Sequence, residues 1–238
     1  MRLAKEFNGE IICADSRTDY KGMDIGTAKP SGAEQAEIPH WGLDLVDPGQ
    51  AFSAAKFKKY AQAAVADIQN RGKFPILVGG TGLYVDSVLY DYQFSLTAGE
   101  RDPINPRHLK KSDEAPRRGG LLKNVLLIGL MPLDEVLKER IANRAEDIFE
   151  QGIIGETKDL LDKYGAKAVA GTAGIVYKIV MRVLGGEINN EEAKELFKTA
   201  DWQYARRQKT WFKRNPHIKW FTSPEEAYKA ARKQLLNT

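Results

Sequence analysis

Apolar runs alternate with amphipathic stretches along the 238 residues, the pattern of an α/β domain with a mainly parallel sheet. Three runs read as strands: Glu10 to Ala14, Phe74 to Val78 and Val125 to Met131. The third, "VLLIGLM", is continuous rather than alternating, which predicts a strand covered on both faces. Between the first two, "FSAAKFKKYAQAAVADIQNRG" places Phe57, Tyr60, Ala64 and Ile68 at helical spacing, with Ser53 as N-cap and Gly72 as stop, so a crossover helix is expected. After Met131 the pattern turns helical. Leu133, Leu137, Ile141, Ala145 and Ile148 form one stripe that Gly152 ends. A long helix then runs from Asn190 to Asn215-Pro216, and Ser223-Pro224 opens a terminal helix with its N-cap and first-turn residues in the correct order.

The segment Ser95 to Gly120 breaks this pattern. It is rich in Gly and Pro, shows no periodicity, and carries Arg101, Arg107, Lys110, Lys111, Arg117 and Arg118. Residues 1–94 and 121–238 therefore read as one α/β domain, with 95–120 as a short basic loop. The length suffices for a substantial core without disulfides, and the single cysteine, Cys13, lies in an apolar run as an inert buried thiol. No apolar window reaches the length of a membrane span, and Met1 to Glu6 lacks a signal-peptide stretch, so a cytoplasmic protein away from membranes is expected. No Cys/His spacing suggests a protein-built metal site. The net charge of +4 is uneven: residues 202 to 238 hold nine Lys/Arg against two Glu, the mark of a polyanion-facing end or of a solvated helix face.

Four stretches carry candidate chemistry. Asp15 follows the first strand directly, at the carboxyl end where parallel sheets bind ligands; the bland reading is a turn or N-cap residue. The second strand ends in "VGGTGLY", where Gly79, Gly80 and Gly82 allow backbone to approach an anion and Thr81 offers a hydroxyl, or where the chain simply turns tightly into a helix. "KGMDIGTAKP" resembles a phosphate cradle but lacks Walker A spacing, which occurs nowhere in the chain. "WQYARRQKTWFKR" interleaves Trp202, Tyr204, Trp211 and Phe212 with Arg206, Arg207, Lys209, Lys213 and Arg214. Cations beside flat rings suit RNA; mixed use is expected, with the rings mostly structural and the guanidinium groups facing outward.

Taken together, "ADSR…YKGMDIGTAKP", "IPHWGLDLVDP", "FSAAKF", "PILVGGTGLY", "LIGL", "RIANRAEDIFEQG" and "QYARRQKTWFKR" occur in an order that resembles the tRNA dimethylallyltransferases, over nearly the whole chain except Ser95 to Gly120. The resemblance implies a P-loop NTPase-like fold with nucleotide-type phosphate binding. It also implies transfer of a dimethylallyl group from its diphosphate to N6 of the adenosine 3′ to the anticodon, with Mg²⁺ assisting diphosphate departure. On it, Asp15 matches the general base. Arg144 matches a diphosphate contact, against the plain alternative of an ion pair with Glu146 or Asp147. Asp15, Ser16, Arg17, Thr18 and Thr81 match positions that hold the target nucleotide. Gly174, Ile175, Val176, Tyr177 and Lys178 match a "G-I-G-Y-K" segment that meets the RNA, with Val176 replacing a Gly, and Arg206 and Arg207 join the RNA-facing set. The implied partners are the tRNA anticodon arm and dimethylallyl diphosphate, met by a monomer.

Departures from the family are specific. Its members open with a strand and a Walker A-like "GPTASGKT" before the helix matched here by "MRLAKEFNG", and nothing in this sequence matches that strand and loop. The expectation is that Met1 is internal to a longer product, since the other motifs are intact; the alternative is a degenerate relative. Thr18 and Asp19 stand where the family commonly has Gln and Val, which puts a second carboxylate near the base. The family's long helical insertion, with "ND-x-RR-x-x-RALE", is replaced by "RDPINPRHLKKSDEAPRRGG". Rival readings are an adenylate isopentenyltransferase acting on free nucleotides and a tRNA-binding remnant without catalysis.

Overall fold

The computed structural model describes residues 1–94, 118–172 and 174–237. The basic segment 95–120 thus lies outside the described residues apart from its last three positions. The described elements are α1 (Arg2–Glu6), β1 (Gly9–Cys13), α2 (Gly32–Glu37), β2 (His40–Trp41), α3 (Ala54–Asn70), β3 (Phe74–Val78) and α4 (Gly82–Leu89). After the basic segment come β4 (Ile128–Leu130), α5 (Asp134–Glu150), α6 (Ile153–Tyr164), α7 (Ala166–Thr172), α8 (Ile175–Leu184), α9 (Asn190–Phe212), β5 (Lys219–Phe221) and α10 (Pro224–Leu235). They fall into two compact units, residues 1–123 with 158–174, and residues 124–157 with 175–238.

The first unit is organised by β1, whose five residues are all buried. Parallel pairing to β2 and β3 puts it in the middle of a three-stranded sheet, order β2-β1-β3, with Ile11 opposite His40 on one side and Ile76 on the other. Strand periodicity divides its side chains. Ile12, with Ala14 just beyond the strand, joins a core with Phe57, Ala61, Ala64 and Ile68 of α3 and with Tyr84 and Val88 of α4. Ile11 and Cys13 face the other way, packing with Ala4 of α1 and Ile38 after α2. Helix α3 forms where its spacing predicts: Ser53 accepts the Lys56 amide at its start, and its buried stripe is Phe57, Ala61, Ala64 and Ile68. The Phe57 ring is fully buried and stacks on Tyr84 at 4.1 Å; burying one such ring is worth about 2–3 kcal/mol.

Glu10 is the exception in this apolar strand. Its carboxylate, 1% exposed, accepts Arg71 Nη1 and Nη2 (2.6 and 2.8 Å), Lys73 Nζ (2.7 Å) and Trp41 Nε1 (2.8 Å). One buried charge thereby ties together the end of α3, the approach to β3, and β2. The Arg71 hydrogen bonds, against the opposing effect of burial and with help from Lys73 and Trp41, lower its pKa to about 2.

The second unit holds a two-stranded parallel sheet, β4 with β5, and helices including α5, α8, α9 and α10. Here two expectations need correction. The strand predicted over Val125–Met131 is only Ile128–Leu130, the residues in register with Lys219–Phe221 of β5, and the ladder closes at its ends through Leu127 O and the Met131 amide. It is not covered on both faces either, since Leu130 is 51% exposed. The α5 stripe also begins later than its spacing suggests, with Ile141, Ala145 and Ile148 buried and Leu133 exposed at the N-cap. Helices α9 and α10 start as read, through the capping box of Asn189 with Glu192 and through Ser223 followed by Pro224.

Glu10→Ala should cost about 2 kcal/mol in urea denaturation, because it removes the buried carboxylate that accepts hydrogen bonds from Arg71, Lys73 and Trp41. Since the folded pKa is depressed, this stabilisation is present above the ordinary glutamate range and is lost as pH falls toward 2. The unfolding midpoint of the wild type should fall more steeply between pH 5 and 2 than that of Glu10→Gln.

Candidate active site

The first unit assembles its polar groups at the carboxyl end of β1. The Ala14 amide still donates to Val78 O on β3 (2.7 Å), so the sheet fixes the chain up to the residue before Asp15. Asp15 then opens a tight turn. Its Oδ1 accepts the Arg17 amide (2.9 Å), and its carbonyl accepts the Thr18 amide (3.3 Å) and hydroxyl (3.0 Å). Aspartate favours such turns because its side chain reaches the backbone two residues on. The turn reading and the ligand-facing reading of Asp15 therefore describe one arrangement: half-buried, the carboxylate is oriented by its own loop.

The glycine turn after β3 meets this loop. A Cβ on Gly79 would sit 2.1 Å from Ala14 O, so only glycine lets β3 exit so close to the end of β1. The Thr81 amide donates to the same Ala14 carbonyl (3.1 Å). Although Thr81 is the N-cap of α4, its hydroxyl makes no cap bond. Instead it accepts the Ser16 amide (3.0 Å) and donates to Ser16 Oγ (3.3 Å). The Arg17 guanidinium donates to Thr172 O (2.8 Å), and Thr172 Oγ1 in turn accepts the Gly49 amide (2.6 Å). Asp15, Ser16, Arg17, Thr18 and Thr81, predicted together, are thus brought together.

Of the groups behind this turn, the sequence pointed to Asp19, as a second carboxylate near Asp15, but not to its partner. Asp19 is fully buried and accepts the Tyr84 hydroxyl (2.7 Å) on Oδ2. Burial, first of all, raises its pKa to about 7. The Lys29 ammonium is used locally, by Tyr20 O (2.6 Å), Asp24 (2.7 Å) and Asp44 (2.6 Å), so the "KGMDIGTAKP" loop turns this lysine inward on its own backbone and carboxylates. No pattern marks Tyr84, which lies three positions past Thr81, as the partner of Asp19.

Of the remaining candidates, Gly174 neighbours this turn: a Cβ on it would lie 3.9 Å from Arg17 Cδ. Gly174 belongs to the first unit and Ile175 to Lys178 to the second. Val176 and Tyr177 are buried, the Tyr177 hydroxyl donating to Glu156 (2.7 Å), while Ile175 and Lys178 are exposed. Arg144 of α5 donates to Asp201 of α9 (3.1 Å) and lies 5.7 Å from the Phe197 ring centroid. Its ion-pair partner is thus neither Glu146 nor Asp147; Glu146 is taken by Lys194 and Lys198. Arg144 Nε is buried without a hydrogen-bond partner among the described residues. On α9 and just past its end, Arg206, Arg207 and Arg214 are exposed while Trp202, Tyr204, Trp211 and Phe212 are half-buried, the mixed use expected of this stretch. Arg207 lies 5.6 Å over Tyr204 and Arg214 4.3 Å over Trp211. A shallow groove of about 520 Å³ is lined by Gln203, Arg206, Arg207, Thr210, Trp211 and Arg214.

A carboxylate at the carboxyl end of a central parallel strand, flanked by a glycine turn that enters a helix, is the arrangement with which α/β proteins meet ligands at their strand ends. A family model described as "IPP transferase" matches residues 19–118 and 102–215. The chain belongs to that family. It is 36% identical to the tRNA dimethylallyltransferase of Anoxybacillus flavithermus, covering 95% of this chain and 86% of the relative, and 35% identical to that of Caldanaerobacter subterraneus, covering 92% and 85%. The first alignment runs to 268 positions although the chain has 238 residues, so that relative carries internal residues this chain lacks. Among solved structures, the tRNA isopentenylpyrophosphate transferases of Staphylococcus epidermidis and Bacillus halodurans superpose with TM-scores of 0.79 and 0.80 at 31% and 30% identity. They cover 99% of this chain and 93% and 90% of theirs. The α/β fold class read from the sequence is therefore that of these P-loop NTPase-like enzymes.

Gly79→Ala should destabilise the protein by about 2–4 kcal/mol in chemical denaturation, because the clash is with a backbone carbonyl that cannot rotate away. Gly72→Ala, at a left-handed turn with open space around it, should cost only about 1 kcal/mol.

Proposed function

We propose that this protein transfers a dimethylallyl group from dimethylallyl diphosphate to N6 of the adenosine 3′ to the anticodon of tRNA, with Asp15 as general base. The observation that carries the reading is the oriented carboxylate of Asp15 at the end of β1, in a chain that belongs to the IPP transferase family. The adenine amino group is a weak nucleophile because its lone pair is delocalised into the ring. As N6 bonds to the allylic carbon and the carbon–oxygen bond to diphosphate breaks, the nitrogen loses a proton, and a carboxylate placed beside it lowers the barrier by accepting it. Ser16, Thr18 and Thr81 shape the loop that receives the base, which must leave its stack to arrive there. Arg144 supplies positive charge for the departing diphosphate in this reading.

Among the described residues, no group of three or more His, Cys, Asp or Glu stands close enough to hold a metal. In this reading Mg²⁺ would be held mainly by the oxygens of the diphosphate, where it would neutralise the charge of the leaving group. The exposed arginines of α9 serve as phosphate contacts for the anticodon arm. No helix among the described residues is long and apolar enough to cross a membrane; acting on tRNA as a monomer in the cytoplasm completes the reading.

Asp15→Ala should abolish transfer of labelled dimethylallyl to tRNA while leaving tRNA affinity within about twofold; unchanged turnover removes Asp15 from the mechanism. If the unaltered chain binds tRNA but never transfers the group, the binding-remnant reading replaces this one. Replacing Arg206 and Arg207 by Ala should weaken tRNA binding and reduce the slope of log affinity against log salt by about 1 for each lost phosphate contact. An unaltered slope assigns both residues to structure.

A further inference from the structure

The buried carboxyl of Asp19, four residues beyond Asp15, has a place that the proposed mechanism leaves unused. The Tyr84 hydroxyl occupies its Oδ2 at 2.7 Å, and its Oδ1 has no hydrogen-bond partner among the described residues. It has little room to swing toward water: its own backbone carbonyl is held by the Val46 amide (3.0 Å), and Tyr84 is clamped by its stack on Phe57. The charged and titratable groups around it are Asp15 and Arg17 from its own turn, Tyr20 beside it, Lys29 from the following loop, Tyr84 from α4 and Cys13 from β1. Lys29 acts only at a distance, because its ammonium is spent on Tyr20 O, Asp24 and Asp44.

We propose that Asp19 is a positioning residue for the transfer reaction, a buried carboxyl that gives Asp15 a negatively charged neighbour only once its own proton has left. The inference rests on the reading of Asp15 as the base. Two carboxyls in one poorly solvated place do not ionise together easily, so the less buried one takes the charge first and the other keeps its proton. Burial, ahead of the charge on Asp15, holds the proton of Asp19 up to about pH 7, and the hydrogen bond from Tyr84 works in the opposite direction. With Oδ2 taken by that hydroxyl, the proton resides on Oδ1. Its ionisation releases a proton to solvent and adds one full charge behind the turn. Below that point the turn carries the charge of Asp15 alone. Above it, the second charge makes Asp15 hold a proton more tightly, which makes it a better acceptor for the proton of N6.

The test is a carbon-13 NMR titration of the full chain labelled at the aspartate carboxyls, run beside the pH profile of kcat for transfer to tRNA. The expected result is one carboxyl midpoint near pH 7 that is missing in Asp19→Asn. That midpoint should lie lower in Asp15→Asn, which removes the repelling charge, and higher in Tyr84→Phe, which removes the donor. The wild-type kcat should rise about threefold or more between pH 6 and 8 and stay flat in Asp19→Asn. No carboxyl midpoint between pH 6 and 8, a midpoint unmoved in Asp15→Asn, or identical pH profiles for wild type and Asp19→Asn would each overturn the proposal. Full turnover by Asp15→Asn is a separate outcome: it removes the base reading, and with it the catalytic consequence claimed for Asp19, even where the titration shows the two carboxyls coupled.

Discussion

A single carboxylate fixes the register from which the site is built. Glu10 is buried in the central strand and held by donors from three directions: Arg71 at the end of α3, Lys73 before β3, and Trp41 on β2. A buried charge tolerates no slippage, because moving it by one residue would turn it to the face lined by Ala4 and Ile38 and leave two cations without their partner. Asp15 lies five positions along the same chain, and the sheet continues through the Ala14 amide, so fixing Glu10 fixes where that carboxylate emerges. The position of the Asp15 carboxylate is set by electrostatics at the opposite end of the strand.

The loop at that end exchanges local stability for reach. Thr81 could cap its own helix, as Ser53, Asn189 and Ser223 do theirs, but it turns its hydroxyl to Ser16 instead. A missing cap costs a helix about 1 kcal/mol, and here the same oxygen joins two segments 65 residues apart in sequence. Gly79 makes that junction possible by allowing two backbones to pass at a distance no side chain permits. The polar network of the turn is thus mostly backbone and hydroxyl, and its only carboxylates are Asp15 and, sealed behind it, Asp19.

Much of the fold was legible because its signals are local. Ser53, the stripe through Phe57 and Ile68, and the apolar runs at β1 and β3 each specify an element by themselves. The strands β2 and β5, two and three residues long, are too short to show any alternation and exist through pairing alone. Pairing also explains why β4 is shorter than its apolar run. At the site, the resemblance named the turn residues and the structure gathers Asp15, Ser16, Arg17, Thr18 and Thr81 in one network. What the sequence withheld was partnership at long range: Tyr84 for Asp19, Thr172 for Arg17 and Asp201 for Arg144. Such contacts depend on how elements pack, and a lone acid or tyrosine carries no periodicity to announce them.

The sulfhydryl of Cys13 has a practical consequence. Buried on β1 between the two sheet neighbours, and with negative charge on Asp15 and Asp19 nearby, it is pushed by burial up to about 12. Electrophiles react with the thiolate, so in the native state this sulfur is nearly silent toward maleimides and peroxide. It is the chain's only cysteine. A cysteine introduced on the solvent side of α9 would therefore accept a fluorophore alone, turning an untouched wild-type background into a single-site optical reporter.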